Sequence, residues 1–360
     1  MKTAEPLLPR LSAWLHARLG RASLVSYAAA LLVPGPGNAL RDAGVQLAGV
    51  RAGLPAALLV TILFAAAYQV TPQRLAAGLR RPTVLVGGLV AHLATPFVVV
   101  AAAAALLAAT GATRAAHFVP VALVLVTTAP VAAGATVWIG RGNGDGAAMI
   151  SIVVCSALLS PLTLPATVGL LDATGLLDGG LPPFRDAVAG SARGLLAGTV
   201  MLPCAAGIVC RGIGPRTVGR RVLAAAPLVA MVAVLALTYV NAAAALPLLT
   251  AASVVPALLA VGSAGAACLL AFQVGHRAAR LLRLPPEAAA TVTLACGMSN
   301  VGVSSVLAAT LLSAEPGVLL AALAYGLVQK VAAHRAMAGR LRQGPDRLPR
   351  GTRLPPSPQG

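Results

Sequence analysis

The chain has 360 residues, of which 58% are hydrophobic and only 10% charged, with a mean hydropathy of +0.87. This excludes an ordinary soluble domain, because the apolar residues come in runs of about 20, the length that crosses a bilayer as helix. The net charge of +18 does not point to a nucleic-acid partner, since the basic residues lie in short loops between apolar runs and not on one face. The expected class is all-α and polytopic, with the lipid bilayer as its constant partner.

Residues 1–22 carry Leu7, Leu8, Leu11, Trp14, Leu15 and Leu19 with Arg10, Arg18 and Arg21 between them. That spacing predicts an amphipathic segment lying on the membrane surface, and it lacks the apolar core of a signal peptide. A first five-helix unit is expected over 23–171. Its spans are a short first one over about 23–37, then about 54–71, 82–109, 116–140 and 145–171. A second unit over 188–334 has spans at about 188–210, 222–245, 248–275, 286–312 and 316–334. Residues 341–360, rich in Pro, Arg and Gly, read as a disordered basic tail.

With both termini in the cytoplasm, 22 of the 27 Lys and Arg residues fall inside. Arg41, Arg51, Arg114, Arg185 and Arg193 fall outside. That bias supports ten spans and a multi-pass protein of the plasma or inner membrane. Ten divides into five plus five, and an odd number per half inverts one half against the other, a plan common to secondary transporters.

Two spans are interrupted at matching places, the fourth and the ninth. Span 4 holds Thr127-Thr128-Ala129-Pro130-Val131, followed by Gly134 and Thr136. A proline inside a span removes a backbone hydrogen bond and kinks the helix. Span 9 holds Gly297-Met298-Ser299-Asn300-Val301-Gly302, then Ser304 and Ser305. Unwound backbone survives in lipid only where protein or a watery cavity surrounds it. Two such breaks mark a binding site, here for a substrate or ion, shaped by Thr128, Pro130, Thr136, Gly297, Ser299, Asn300 and Ser304. For either span alone the alternative is an ordinary kinked helix packed through small residues.

His92 is the one ionisable side chain that the predicted spans place well inside the membrane, and such a group is a functional candidate by default. It is a possible proton carrier; the alternative is a neutral imidazole bonded to a Ser or Thr. Asp145 reads as a helix cap, and Glu287 as a first-turn acid that complements the helix dipole. All five cysteines lie in apolar runs without a C-x-x-C pair, so no metal and no resident cofactor is expected, only a coupling ion, Na+ or H+. With nine acidic residues and no paired-carboxylate motif, no enzyme activity is expected, prenyl- or acyl-transfer included.

The sequence resembles the bile acid:sodium symporter family, as a divergent bacterial member. The resemblance rests on Val126-Thr127-Thr128-Ala129-Pro130, on Arg141-Gly142-Asn143, on Ala157-Leu158-Leu159-Ser160-Pro161, and on Gly297-Met298-Ser299-Asn300, which is similar to a Gly-Met-Gln-Asn motif. Arg80-Arg81-Pro82 and Met201-Leu202-Pro203 also fit. It implies a panel of spans 1, 2, 6 and 7 and a core of spans 3–5 and 8–10. Spans 4 and 9 would cross in the core, and substrate would bind between panel and core. The departures fall on the sodium ligands that the resemblance implies. Ala295 stands where a carboxylate is expected, Ser299 for Gln, Ala135 and Thr136 for a Ser-Asn pair, and Met149 and Val153 for hydroxyl residues. Val131 stands where an arsenite-permease branch has cysteine.

The expected function is therefore secondary transport of a small organic anion by alternating access, with no nucleic-acid partner. The alternatives are a proton-coupled transporter using His92 and a transport-deficient membrane sensor or scaffold.

Overall fold

Proline opens many of the helices. In the computed structural model it sits in the first turn of α2 (Pro34–Asp42), α3 (Leu54–Tyr68), α4 (Pro72–Leu79), α5 (Pro82–Thr110), α6 (Val119–Thr128) and α12 (Pro286–Gly297). Its missing N–H costs nothing there, because first-turn N–H groups have no helical acceptor. The structure describes residues 7–47, 50–111, 117–141, 144–177, 188–213, 216–246, 254–312 and 315–341. The tail beyond Leu341, the basic residues Arg114 and Arg185, and Gly142 and Asn143 lie outside them.

The remaining helices are α1 (Leu7–Leu32), α7 (Ala135–Arg141), α8 (Gly146–Ala173), α9, α10 (Arg216–Ala245), α11 (Val254–Leu281), α13 (Val301–Leu311) and α14 (Pro316–Leu341). The helix α9 is built in four pieces: π over Val188–Ala192, α over Arg193–Leu196, π over Ala197–Met201 and α over Leu202–Ile213. The chain is an all-α polytopic membrane protein. Among the described residues one small hairpin departs from this, Gly44–Leu47 paired antiparallel with Val50–Gly53.

Among the described residues, six helices are individually long and apolar enough to cross a bilayer. The expected count of ten is not reached by length and hydropathy alone, because α1 is not among the six, α3 has 15 residues, and two predicted spans are split into α6 with α7 and α12 with α13. After α3 the chain bends by 82° into α4. That short helix lies against α8, with Leu75 O accepting from Ser151 Oγ at 3.0 Å. The helix α1 runs unbroken through residue 22, where the sequence suggests a boundary between a surface segment and a span. The helix α14 runs seven residues past 334, so Lys330, expected among the cytoplasmic tail charges, is a mid-helix residue. It joins His92 as an ionisable side chain within a membrane-length helix, which corrects the expectation that His92 stands alone.

Packing separates two groups. The helices α1 and α3 pack on α10, with α2 resting on α10 and α9 lying between α3 and α8. The helices α5, α6, α8, α11, α12 and α14 form the other group, with α7 and α13 within it. The centre of the second group is α6, buried from Val121 to Thr128 on every face. A helix that is apolar all round and shielded all round is a core element, not a lipid-facing one.

Candidate functional site: two interrupted helices

The sequence stops α6 and α12 by different means. Pro130 has no N–H and disfavours helical geometry in the residue before it; Ala129 is accordingly extended, at φ −59° and ψ 145°. At Gly297 the ring of Phe272 from α11 occupies the place that a Cβ would take. Met298 then leaves the helix at φ −107° and ψ 86°, and Asn300 starts α13 by accepting from Val303 N at 3.4 Å.

The two breaks meet. Val131 and Ser299 pair as an antiparallel bridge, in which Ala132 N donates to Met298 O and Asn300 N donates to Pro130 O, both at 2.8 Å. Buried peptide groups need partners, and side chains supply the rest. Pro130 removes the helical donor for Val126 O, and Ser299 Oγ donates there instead, with Ala129 O 3.5 Å away. Val131 N donates to Ser156 Oγ at 3.0 Å. Gly297 O accepts from Tyr325 Oη of α14 at 3.2 Å. The crossing is a fixed piece of extended backbone with named donors and acceptors.

The bridge sets an offset of 168 residues (299 minus 131), and the helix ranges recur at it. Shifted by 168, α6 falls on 287–296 against Pro286–Gly297, and α8 on 314–341 against Pro316–Leu341. Shifted likewise, α5 falls on 250–278 against Val254–Leu281.

The expected site residues divide between two sides of the crossing. His92, Thr128 and Pro130 line a small crevice with Leu89, Leu93, Ser156, Leu159 and Thr163. It has room for about one water molecule, and α5, α6 with its Pro130 break, and α8 line it. His92 is buried and its Nδ1 has no hydrogen-bond partner. Its imidazole interacts with the carbonyls of Ala129 and Ala295, one from each interrupted helix. On the other side, Asn300 is half-buried, and a Cβ added to Gly302 would meet Leu59 of α3 and Leu237 of α10, each at 3.3 Å. The start of α13 therefore faces the first packing group.

The other expected residues are more local. The Thr128 hydroxyl donates to Val124 O at 2.6 Å and that of Thr136 to Ala133 O at 2.7 Å, each within its own turn. Ser304 Oγ, fully buried, donates to Asn300 O at 3.4 Å. Ser299 is 1% exposed and its hydroxyl is directed at α6. Ser156 and Tyr325 belong to the crossing but carried no signal in the sequence beyond being polar groups inside apolar helices.

The model of the sodium bile acid symporter family matches residues 56–252. The chain belongs to that family. The match covers more than half of the 360 residues; it includes the Pro130 break and ends before the Gly297 break. Members of the sodium bile acid symporter family are transporters, not enzymes. No curated protein matches the chain.

Asp145 and Glu287, acidic residues on elements that meet at the crossing, sit at the first turns of α8 and α12. Asp145 caps α8 by accepting from Ala148 N at 3.0 Å and pairs with Arg81 at 2.7 Å. Its backbone N–H donates to Thr291 Oγ1 of α12 at 3.1 Å. These contacts tie the starts of α5, α8 and α12 together. Ala295, where a family sodium ligand is expected, is fully buried. No group of three or more His, Cys, Asp or Glu among the described residues is placed to hold a metal ion.

Proposed function

We propose that the chain is a secondary transporter of a small organic anion in the plasma or inner membrane, working by alternating access. The observation that carries this reading is the Val131–Ser299 bridge, where two broken helices meet backbone to backbone. Counting each broken pair as one span, with α1 and α3 as spans, gives ten. The recurrence of helices at 168 residues supports two five-span repeats in opposite orientation, one broken helix in each. The second packing group moves against α1, α3, α9 and α10, and the seam between them at Asn300 and Gly302 opens to each side in turn. The N-terminal end of α13 carries partial positive charge toward that seam, which favours an anion, and Asn300 lies beside it.

Sodium coupling has little to work with. Sodium is a hard cation that prefers several oxygen ligands with a negative charge near, and the position of the family carboxylate is Ala295. His92 is the candidate for a proton instead: its buried imidazole interacts with the carbonyls of Ala129 and Ala295, one from each interrupted helix.

The test is uptake of cholate, a carboxylate-bearing bile acid, into proteoliposomes with an imposed sodium or proton gradient. Accumulation driven by one gradient and lost in Asn300→Ala is expected. Accumulation indifferent to Asn300→Ala contradicts the site, and none under either gradient contradicts transport of this anion class.

A further inference from the structure

Lys330 lies eleven residues before the end of α14 (341 minus 330), inside the apolar stretch Pro316–Met337. Its Nζ donates to Ser23 Oγ of α1 at 3.2 Å. Ser23 is 1% exposed and donates onward to Leu19 O at 2.9 Å. Two turns back along α14, Tyr27 Oη of α1 donates to Leu323 O at 3.4 Å. The ammonium therefore stands on the seam between the two packing groups, held by a neutral hydroxyl.

A serine offers Lys330 one acceptor and no charge. Neither α1 nor α14 contains an Asp or Glu, and among the described residues Lys330 has no carboxylate within ion-pair distance. Lys330 is half-buried; an ammonium shielded from water without a counter-charge is costly, and inside membrane-spanning helices such groups mark substrate or ion paths. The preceding residue adds a second unanswered group: Gln329 Oε1 is buried without a partner. One turn further on, the ring of His334 packs edge-on against Trp138 of α7, with centroids 5.9 Å apart. Residues four apart share a helix face, so Lys330 and His334 form a basic face that adjoins α1 on one side and the far half of the broken span on the other. His334 and its neighbour Arg335 are exposed. The face is reachable from one end of α14.

We propose that Lys330 is the counter-charge met by the passenger's oxyanion, which takes the ammonium from Ser23 as it enters the seam. This deepens the transport reading and rests on it. A carboxylate or sulfonate of the passenger and the phosphate of a lipid headgroup offer the same chemistry; the position between α1 and α14, against the buried Ser23, assigns the passenger.

Trp138 makes a direct test available, because Trp14→Phe leaves it the single tryptophan of the two in the chain. The protein is reconstituted in phosphatidylcholine nanodiscs, and Trp138 fluorescence is quenched by iodide, an anion, or by acrylamide, a neutral quencher. Iodide quenching is expected to fall by about twofold or more in Lys330→Gln and to persist in Lys330→Arg. Acrylamide quenching stays equal in all three, which also reports that each is folded around α7. Equal iodide quenching in Lys330→Gln overturns the proposal. So does loss of the difference between Lys330→Arg and Lys330→Gln when phosphatidylglycerol is added to the nanodiscs, a comparison at equal bilayer charge that assigns the site to a headgroup. Either result leaves the uptake test of Asn300→Ala standing, so the two readings fail separately.

Discussion

Ser299→Ala isolates the chemistry of the crossing. Val126 O lost its helical donor because residue 130 is proline, and Ser299 Oγ replaces it. Removing that hydroxyl leaves a buried carbonyl without a partner, at a cost of about 1–3 kcal/mol. Thr127→Val is the matched control. The Thr127 hydroxyl is also buried and bonded, to Leu123 O at 2.6 Å, but that carbonyl already accepts from the helix. Losing a redundant bond costs about 0.5 kcal/mol or less, since the acceptor stays satisfied. The assay is equilibrium unfolding in mixed detergent and dodecyl sulfate micelles, followed by circular dichroism. Ser299→Ala is expected to be the less stable of the two by at least about 1 kcal/mol. Equal stabilities would refute the idea that proline-freed carbonyls govern the strength of this crossing.

Further outcomes follow from the same geometry. Tyr325→Phe strips the donor from Gly297 O and should cost about 1–3 kcal/mol in the same unfolding assay. Gly297→Ala drives a methyl into the Phe272 ring and should destabilise by about 1–3 kcal/mol, with much of the loss recovered when Phe272→Leu is added. His92→Gln should abolish accumulation driven by a proton gradient while leaving anion binding by thermal shift intact; persistence of pH-driven uptake counts against a proton on His92. Asp145→Ala removes the α8 cap and should cost about 1 kcal/mol in melting experiments. The Arg81 pair adds little to that, because the Arg81 side chain is 57% exposed.

The breaks themselves are legible in the sequence, because their causes are local. Pro130 lacks an N–H whatever surrounds it, and Gly297 and Gly302, five residues apart amid polar side chains, loosen the second span. What surrounds the breaks is not legible. The sequence tells which backbone groups are freed, but the side chain that answers each one comes from far along the chain: Ser299 donates to Val126 O, Tyr325 donates to Gly297 O, and Ser156 accepts from Val131 N. Ser299 thus reads as a site residue by its neighbours and proves to be bonded into α6. Lys330 was hidden by a boundary. A span drawn to 334 leaves it one turn from the predicted end, beside the tail charges, and the seven further residues of α14 place it eleven residues from the end. The strands at 44–47 and 50–53 are only four residues each, too short for the alternation of Val45-Gln46-Leu47 and Val50-Arg51-Ala52 to stand out.

Alternating exposure of the seam is the central claim, and thiol labelling at Gly302→Cys tests it most directly. The exposed Cys210 is first replaced by Ser, and a membrane-impermeant maleimide is applied to right-side-out and inside-out vesicles. Labelling from both sides, with cholate changing the ratio, is the predicted result. Labelling confined to one side, with cholate present or absent, would mean that the seam does not alternate.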